Sequence, residues 1–451
     1  MKQTYTKSQK IRLLFYILIP ILITQLSMYA MTFFDVMMSG QYSTQDVAGV
    51  SIGSSLWTPV YTGLSGILIA LTPVVSQLIG SRKFKSVSYS VMQAVYLAIA
   101  LALVILIVGA FCLNPILTAM NLEHNVHRVA HDYLIALSFG IIPLFVYNAL
   151  RAFIDALGQT RISMVITLGA LPVNVIFNYL FIYGKLGFPE LGGVGSGYAT
   201  AITYWIIALT AILVVLKIHP FSTYDVFREF FRVSLKEWRA LLSIGVPIGL
   251  AIFFETSIFS AVTLLMSKYD TVTIASHQIA MNFASLLYMM PLSMSMALTI
   301  VIGYEIGAAR YKDAKEYSLI GITLALMMSL VLSAILFFFR EPVASAYTKD
   351  HAVMLLTSHF LIYAIFFQIS DALQAPIQGI LRGYKDVNVT FAMSLVSYWI
   401  LGLPIGYFFV KYTDMGAFGY WIGLISGLAL GAIGLAARLR FIQQVKFKKL
   451  A

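Results

Sequence analysis

Three acidic residues lie inside long apolar stretches of the chain: Asp35 in MTFFDVMMSG, Glu255 in AIFFETSIFS and Asp371 in FQISDALQA. An ionisable side chain at the depth of a membrane core is costly, so each marks a candidate functional site. A buried carboxyl group is stable when it is protonated or when it binds a cation. Switching between those states is what a cation-coupled carrier needs. The alternative, a neutral acid that hydrogen-bonds a neighbouring helix, stays open for each residue.

None of the three acids has a Lys or Arg close to it in the same apolar stretch. No basic side chain of the same span is therefore available to neutralise them. Aromatic and methionine side chains flank them instead, among them Phe34 and Phe254. An acid within such a wall suits lipophilic cations.

Amide side chains form a second candidate group in the first half of the chain. Asn174 and Asn178 are four residues apart, so they share one face of a helix. Thr200 and Asn148 are candidates to join them. Intramembrane Asn also serves as a contact between helices, so a purely structural role is the alternative.

The elements that must position these residues are membrane-spanning helices. The chain of 451 residues is 60% hydrophobic and 11% charged, whereas soluble proteins carry roughly 25% charged residues. Apolar stretches approach the ~20 residues that a helix needs to cross a bilayer. We predict an all-α integral membrane protein whose twelve helices span residues 11–38, 47–79, 87–113, 129–150, 162–184, 194–217, 240–267, 274–306, 317–339, 353–380, 389–411 and 416–438.

The distribution of basic residues predicts the orientation of these helices. With a cytoplasmic N-terminus, the outside loops and their edges hold only six of the 30 Lys and Arg residues, namely Arg128, Lys185, Lys268, Arg340, Lys349 and Lys411. Loops on the cytoplasmic side are expected to carry the excess. We expect a multi-pass protein of the cell (inner) membrane with both termini cytoplasmic and a first helix that is retained. Because the basic residues lie in short loops between helices, the net charge of +11 does not indicate nucleic-acid binding.

The chain also repeats itself. Pro20 corresponds to Pro247, Gly80 to Gly307 and Pro115 to Pro342, all at one constant offset. Six helices per half is an even number, so we expect two six-helix lobes related by a pseudo-two-fold axis along the membrane normal. The predicted division is 1–217 for the N-terminal lobe, 218–239 for a cytoplasmic linker and 240–451 for the C-terminal lobe. The linker suits either an amphipathic helix on the inner leaflet or a simple connector.

The acids themselves are not copies of one ancestral site. In the repeat, Asp35 corresponds to Val262 and Glu255 corresponds to Met28. The two positions differ by seven residues, or roughly 10 Å along a helix. Each half therefore has its own predicted acidic site.

Several segments resemble the multidrug and toxic compound extrusion (MATE) transporters, in the NorM-like branch. The most specific is VNVIFNYLFIYGKLGFPELGGVGSGYAT from Val173, with supporting matches FFDVMMSG, RAFIDALGQTR and GVPIGLAIFFE. The resemblance implies two six-helix lobes around a cleft that alternates its access. It also implies export of cationic aromatic drugs in exchange for Na⁺ or H⁺.

Carried over by position, the resemblance assigns roles to individual residues. It implies a cation or proton site in the N-terminal lobe and a cation site in the C-terminal lobe, together with residues that line the drug cleft. The first comprises Asp35, Asn174, Asn178 and Thr200, the second Glu255 and Asp371, and the third Gln278, Tyr288 and Phe259. Some relatives have Tyr four residues before the position that corresponds to Asp371. Here that position is Phe367, so one hydroxyl ligand is missing.

We therefore expect a monomeric multidrug efflux antiporter for small cationic amphipathic drugs, with Na⁺ or H⁺ as the coupling ion. The sequence does not choose between the two ions. We expect no cofactor, no resident metal and no enzymatic activity, since the chain has no nucleotide-binding loop or nucleophile motif. The main alternative is a lipid-linked oligosaccharide flippase of the same superfamily, which needs a more basic cavity. A channel or membrane scaffold is a second alternative, and an intramembrane enzyme is a more distant one.

Overall fold

A computed structural model describes residues 3–228 and 231–448 and, within those ranges, contains helices and no strand. Glu229 and Phe230 of the predicted linker, and Lys449 near the end of the chain, lie outside the described residues. The helices of the first half are α1 (Lys7–Tyr42), α2 (Thr44–Leu68), α3 (Leu71–Gly80), α4 (Phe84–Ala119), α5 (His124–Ser138), α6 (Ile141–Ala156), α7 (Thr160–Tyr183) and α8 (Val194–Lys217).

The second half follows a short 3₁₀ turn at Phe221–Tyr224. Its helices are α9 (Leu235–Met266), α10 (Thr271–Gly307), α11 (Tyr311–Tyr347), α12 (His351–Gly383), α13 (Asn388–Ser394), α14 (Leu403–Tyr412) and α15 (Phe418–Lys448). A π-helical segment, Leu395–Gly402, joins α13 to α14. Such segments are rare in proteins, and those that occur often lie at functional sites.

Eleven helical stretches in the described ranges are long and apolar enough to cross a membrane. The number is twelve when α5 and α6, which meet at a bend of 51°, count as one span. The prediction of an all-α protein with twelve spans is confirmed. The length of the apolar stretches allowed this prediction, because a helix in lipid must satisfy all its backbone groups internally.

The chain forms two compact units, which we call the N-unit (residues 23–245) and the C-unit (residues 1–22 and 246–451). This grouping differs from the predicted division at 1–217 and 240–451, because the segment Met1–Leu22 belongs with the second half. Both crossover points lie next to a proline inside a helix, Pro20 in α1 and Pro247 in α9. A proline removes one hydrogen bond from the helix and allows its two parts to pack differently.

Apolar contacts explain why the start of α1 belongs to the C-unit. Leu14, Ile17 and Leu18 are fully or almost fully buried in one cluster with residues of α10, α11 and α12. The polar contacts agree, since Lys10 pairs with Asp313 at 2.6 Å and also with Glu316. Lys10 is only 2% exposed, whereas Asp313 is 24% and Glu316 50% exposed, so the cation is buried and its partners reach the surface.

The predicted linker is held by side-chain hydrogen bonds from α4 of the N-unit. Gln93 of α4 donates to the backbone oxygen of Arg232 at 2.8 Å and accepts from the backbone nitrogen of Ser234 at 2.9 Å. Ser90 donates to Glu237 at 3.0 Å. The described linker contains only the 3₁₀ turn before α9 begins at Leu235, so these side-chain contacts favour the interpretation as a connector over a long amphipathic helix.

Helices α10 and α12 approach each other closely in the C-unit. Thr299 donates to the backbone oxygen of Gly379 at 2.9 Å. A Cβ atom on Gly379 would collide with the backbone of Ser295. This glycine therefore sets the distance between α10 and α12, the helix that carries Asp371.

Candidate functional site

The carboxylate of Asp35 lies at the centre of a buried polar cluster in the N-unit. Its Oδ1 accepts a hydrogen bond from Asn178 Nδ2 at 2.7 Å, and its Oδ2 accepts one from Thr200 Oγ1 at 2.7 Å. Asn174 donates to Thr200 Oγ1 at 3.1 Å and accepts from Asn178 at 3.2 Å. Asp35 comes from α1, the two Asn residues from α7 and Thr200 from α8. The structure thus brings together all four residues of the predicted N-terminal site.

The local sequence explains how three helices converge on this point. Asn174 and Asn178 share the inner face of α7, and both are fully buried. Gly195, at the beginning of α8, lies against the backbone of Phe181, where a Cβ atom would collide. This close approach brings α8, and with it Thr200, next to α7.

The cluster can hold a cation or a proton. The described polar partners of Asp35 are neutral donors and include no cationic side chain. Asn178 Oδ1 is buried without a hydrogen-bond partner among the described residues. Together the two carboxylate oxygens, the amide oxygens and the Thr200 hydroxyl supply hard oxygen ligands. Asn178 Oδ1 is thus a free acceptor beside a carboxylate without a described counter-ion, and such a site suits either a small cation or a proton on the carboxylate.

Asn148 does not join this cluster. It contacts the hydroxyl of Tyr61 instead, and its Nδ2 has no partner among the described residues. The two aromatic hydroxyls that do lie within electrostatic range of Asp35 are those of Tyr133 and Tyr204. Neither was predicted, since tyrosines are common throughout this sequence.

Glu255 lies in the C-unit and is held by two neutral donors. Its Oε1 accepts hydrogen bonds from Gln378 of α12 and from Ser394 of α13, the latter at 2.9 Å. Glu255 is 8% exposed, and Gln378 and Ser394 are more deeply buried.

Asp371 is the second buried carboxylate of the C-unit and has a different environment. It is 5% exposed, and its Oδ2 has no hydrogen-bond partner among the described residues. Glu255 lies within its electrostatic range. The hydroxyls of Tyr288 and Tyr398 also interact electrostatically with both acids. The structure therefore places the predicted carboxylate pair in one cluster.

Glu255 has a basic neighbour, Arg382, that comes from a different helix. Arg382 lies two residues beyond the predicted span 353–380, but α12 continues to Gly383 and includes Arg382. Its side chain is 4% exposed and interacts electrostatically with Glu255. The adjacent Gly383 lies against Ile302 of α10, where a Cβ atom would collide, so this end of α12 packs closely on α10. A sequence window cannot detect this burial, since it depends on a helix that is distant in the sequence.

The residues predicted to line a drug cleft are spread along the C-unit. Gln278 is exposed on α10, and Tyr288 lies ten residues later, which is about 15 Å along the helix. Phe259 is half-buried, and its ring packs edge-on against Phe367 at 5.7 Å. Tyr288 interacts electrostatically with both buried acids of the C-unit. Phe367 has no hydroxyl group. The hydroxyl of Tyr398, in the π-helical segment, interacts electrostatically with both acids.

Sequence reasoning missed several polar residues of the C-unit cluster, namely Gln374, Gln378, Arg382, Ser394 and Tyr398. A signal for the first three was present. Counted from Asp371, they follow at intervals of three, four and four residues, the spacing of one helix face. No such spacing could have indicated Ser394 and Tyr398, because tertiary packing brings them to the site from another segment.

Comparisons with known proteins agree with this architecture. A sequence profile of the MatE family matches residues 20–180 and 247–408. A protein of Halalkalibacterium halodurans, named probable multidrug resistance protein NorM, is 56% identical over 451 residues, covering 100% of this chain and 98% of the relative. A Bacillus subtilis protein of the same name is 57% identical over 444 residues, covering 98% of each chain.

Solved structures show the same fold at lower identity. An outward-facing multidrug resistance MATE family transporter of the MOP superfamily superposes with a TM-score of 0.88 at 18% identity, covering 99% of this chain and 100% of that one. A MATE structure in a bent conformation gives a TM-score of 0.87 at 20% identity, with 99% of each chain covered. Because the profile matches both halves and the relatives are more than half identical along the whole chain, the protein belongs to the MatE family of multidrug and toxic compound extrusion transporters, in its NorM-like branch.

Proposed function

We propose that this transporter exports small lipophilic cations across the cell (inner) membrane in exchange for Na⁺ or H⁺. The single observation that carries this proposal is the pair of buried carboxylates, Asp35 and Asp371, that have no described cationic hydrogen-bond partner. Burying such a charge without compensation is costly, so each acid is stable only when a mobile cation or a proton neutralises it. The relatives named multidrug resistance protein support drugs as the other substrate.

The proposed cycle uses the coupling ion as a switch. An incoming cation neutralises a buried acid from the outside, and its release to the cytoplasm restores the negative charge that attracts the next cationic drug. A ligand can shift a conformational equilibrium only by its differential affinity for the two states. A carboxylate that is charged in one state and neutralised in the other provides that difference.

The aromatic environment favours a flat, cationic substrate. Tyr288 is half-buried beside both C-unit acids, and Phe259 and Phe367 lie in the same unit. The faces of aromatic rings attract organic cations through cation–π interactions. We therefore expect ethidium-like dyes to be substrates.

The buried basic side chains argue against a flippase for lipid-linked pyrophosphates. Lys10 pairs with acids of α11, Arg151 pairs with Asp155 at 3.4 Å, and Arg382 interacts with Glu255. A pyrophosphate site needs basic groups that are free of such partners. Each of these three basic side chains thus has an acidic neighbour within its own unit.

The proposal is tested by ethidium efflux from vesicles with Na⁺ and pH gradients imposed separately. We expect efflux to follow at least one gradient, and Asp35→Asn, Asp371→Asn and Glu255→Gln to abolish drug resistance at normal expression. The exposed residue Glu341 provides a control, since Glu341→Gln makes the same chemical change away from the buried acids. Full resistance in both Asp371→Asn and Glu255→Gln would refute cation coupling in the C-unit.

A further inference from the structure

One face of α12 is a buried polar ladder. Its members are Asp371, Gln374, Gln378 and Arg382, with exposures of 5%, 1%, 4% and 4%. Intervals of three and four residues place them on the same side of the helix. A ladder with an acid at one end and a guanidinium at the other is unusual in a membrane core, where each charge has to be compensated.

Glu255 joins this ladder at Gln378, nearer to its basic end. Gln378 is four residues from Arg382 and seven from Asp371, which correspond to about 6 Å and 10 Å along the helix axis. Side chains on a helix lean towards its N-terminus. The guanidinium of Arg382 therefore leans back towards Gln378 and Glu255, whereas the carboxylate of Asp371 leans away from them.

The two carboxylates consequently have different electrostatic surroundings. Glu255 has a positive neighbour in Arg382 and accepts hydrogen bonds from Gln378 and Ser394. The charged neighbour recorded for Asp371 is Glu255, which repels it, and its Oδ2 is unpaired among the described residues.

We propose that Arg382 is a permanent counter-charge for Glu255, so that Asp371 alone of the two acids exchanges its counter-ion during transport. Arg382 is thus a positioning residue that fixes the role of Glu255. The inference rests on the proposed function, because it assigns roles within the cation site of the C-unit. Two carboxylates and one guanidinium leave one net negative charge. One monovalent cation or one proton is therefore enough to neutralise this site.

A labelling experiment on the unmodified protein tests this division of roles. Dicyclohexylcarbodiimide reacts with protonated carboxyl groups in apolar surroundings and not with ionised ones. We expect mass spectrometry of labelled protein at mildly acidic pH to find Asp371 modified at least about tenfold more than Glu255, since each 1.4 kcal/mol of charge compensation is worth a factor of about ten. Labelling of Glu255 equal to or above that of Asp371 overturns the proposal.

A double variant tests the compensation directly. Glu255→Gln and Arg382→Gln each leave one buried charge unpaired, so each should lower cation-driven ethidium efflux in proteoliposomes by at least about tenfold. The combined variant removes both members of the pair and leaves only the exchangeable charge of Asp371, so efflux should return to within about threefold of the wild-type rate. Arg382→Lys keeps the charge and should retain more activity than Arg382→Gln. Thr357→Val is the matched control, because Thr357 is a buried residue of α12 far from the acids.

The outcomes separate this inference from the proposed function. A folded double variant that is no more active than Glu255→Gln shows that Glu255 is itself a coupling ligand, and overturns the inference. If the double variant does not fold, the labelling pattern decides. Absence of cation-driven efflux in the wild-type protein, together with selective labelling of Asp371, would instead refute the proposed function and leave the charge pairing intact.

Discussion

Replacement of Thr200 by valine gives a quantitative test of the N-unit site. Thr200→Val preserves the shape of the side chain and removes the hydroxyl that donates to Asp35 Oδ2 at 2.7 Å. A hydrogen bond to an ionised group contributes about 1.5–3 kcal/mol. At about 1.36 kcal/mol per factor of ten, its loss should move the equilibrium between ionised and neutralised Asp35 by roughly 10- to 150-fold towards the neutralised form.

The assay is ethidium efflux from proteoliposomes as a function of the coupling-ion concentration. If protons drive Asp35, the variant should reach half-maximal efflux at a proton concentration at least about tenfold lower, with a reduced maximal rate because proton release becomes harder. If Na⁺ binds at Asp35, the lost hydroxyl is a lost ligand, and half-maximal efflux should require more Na⁺. The direction of the change therefore distinguishes the two ions at this site.

Two control variants accompany this prediction. Thr200→Ser keeps the hydroxyl and should behave like the wild type. Thr203→Val removes a buried hydroxyl from the same helix, but one that donates only to the backbone oxygen of Ala199 at 2.8 Å among its described contacts. A folded Thr200→Val protein whose half-maximal concentrations of both ions stay within about threefold of wild type would refute our reasoning, since the bond would contribute well under about 1 kcal/mol.

Two further variants test the packing of the C-unit. Gly379→Ala should lower the free energy of unfolding by about 1–3 kcal/mol, because its Cβ would collide with the backbone of Ser295. Gly109→Ala adds the same atom where nothing lies within 4 Å, so its melting temperature in detergent should not fall. Lys10→Met should lower the melting temperature, because it removes the buried cation that pairs with Asp313 and with the exposed Glu316. Additional removal of the Asp313 carboxylate should recover part of this loss, and no recovery would contradict the ion-pair explanation.

The N-unit site shows how far sequence reasoning reaches. The four-residue spacing of Asn174 and Asn178 predicted a shared helix face, and both side chains belong to the Asp35 cluster. Thr200 was a candidate to join the two Asn residues, and the family resemblance added Asp35. Distances and donor directions required the structure, because they depend on how α1, α7 and α8 pack.

The C-unit site shows where that reasoning stops. Asp371 and Glu255 were visible as isolated acids in apolar stretches. The burial of Arg382 depends on the extension of α12 by one turn and on its contact with α10. Tyr398 reaches the acids from the π-helical segment, which no periodicity in the sequence indicated. Local patterns carry no information about such contacts between distant segments.

The sequence by itself determined the class of the protein, the number of its spans and the identity of the buried acids. It could do so because lipid imposes a uniform requirement on every spanning segment, namely an apolar helix of about 20 residues. Tertiary structure alone decided that the segment Met1–Leu22 belongs to the C-unit and that Glu255 has a basic neighbour, whereas Asp371 has none among the residues that the structure describes. These features depend on which helices pack together, and the electrostatic role of a buried charge is set by its neighbours in space.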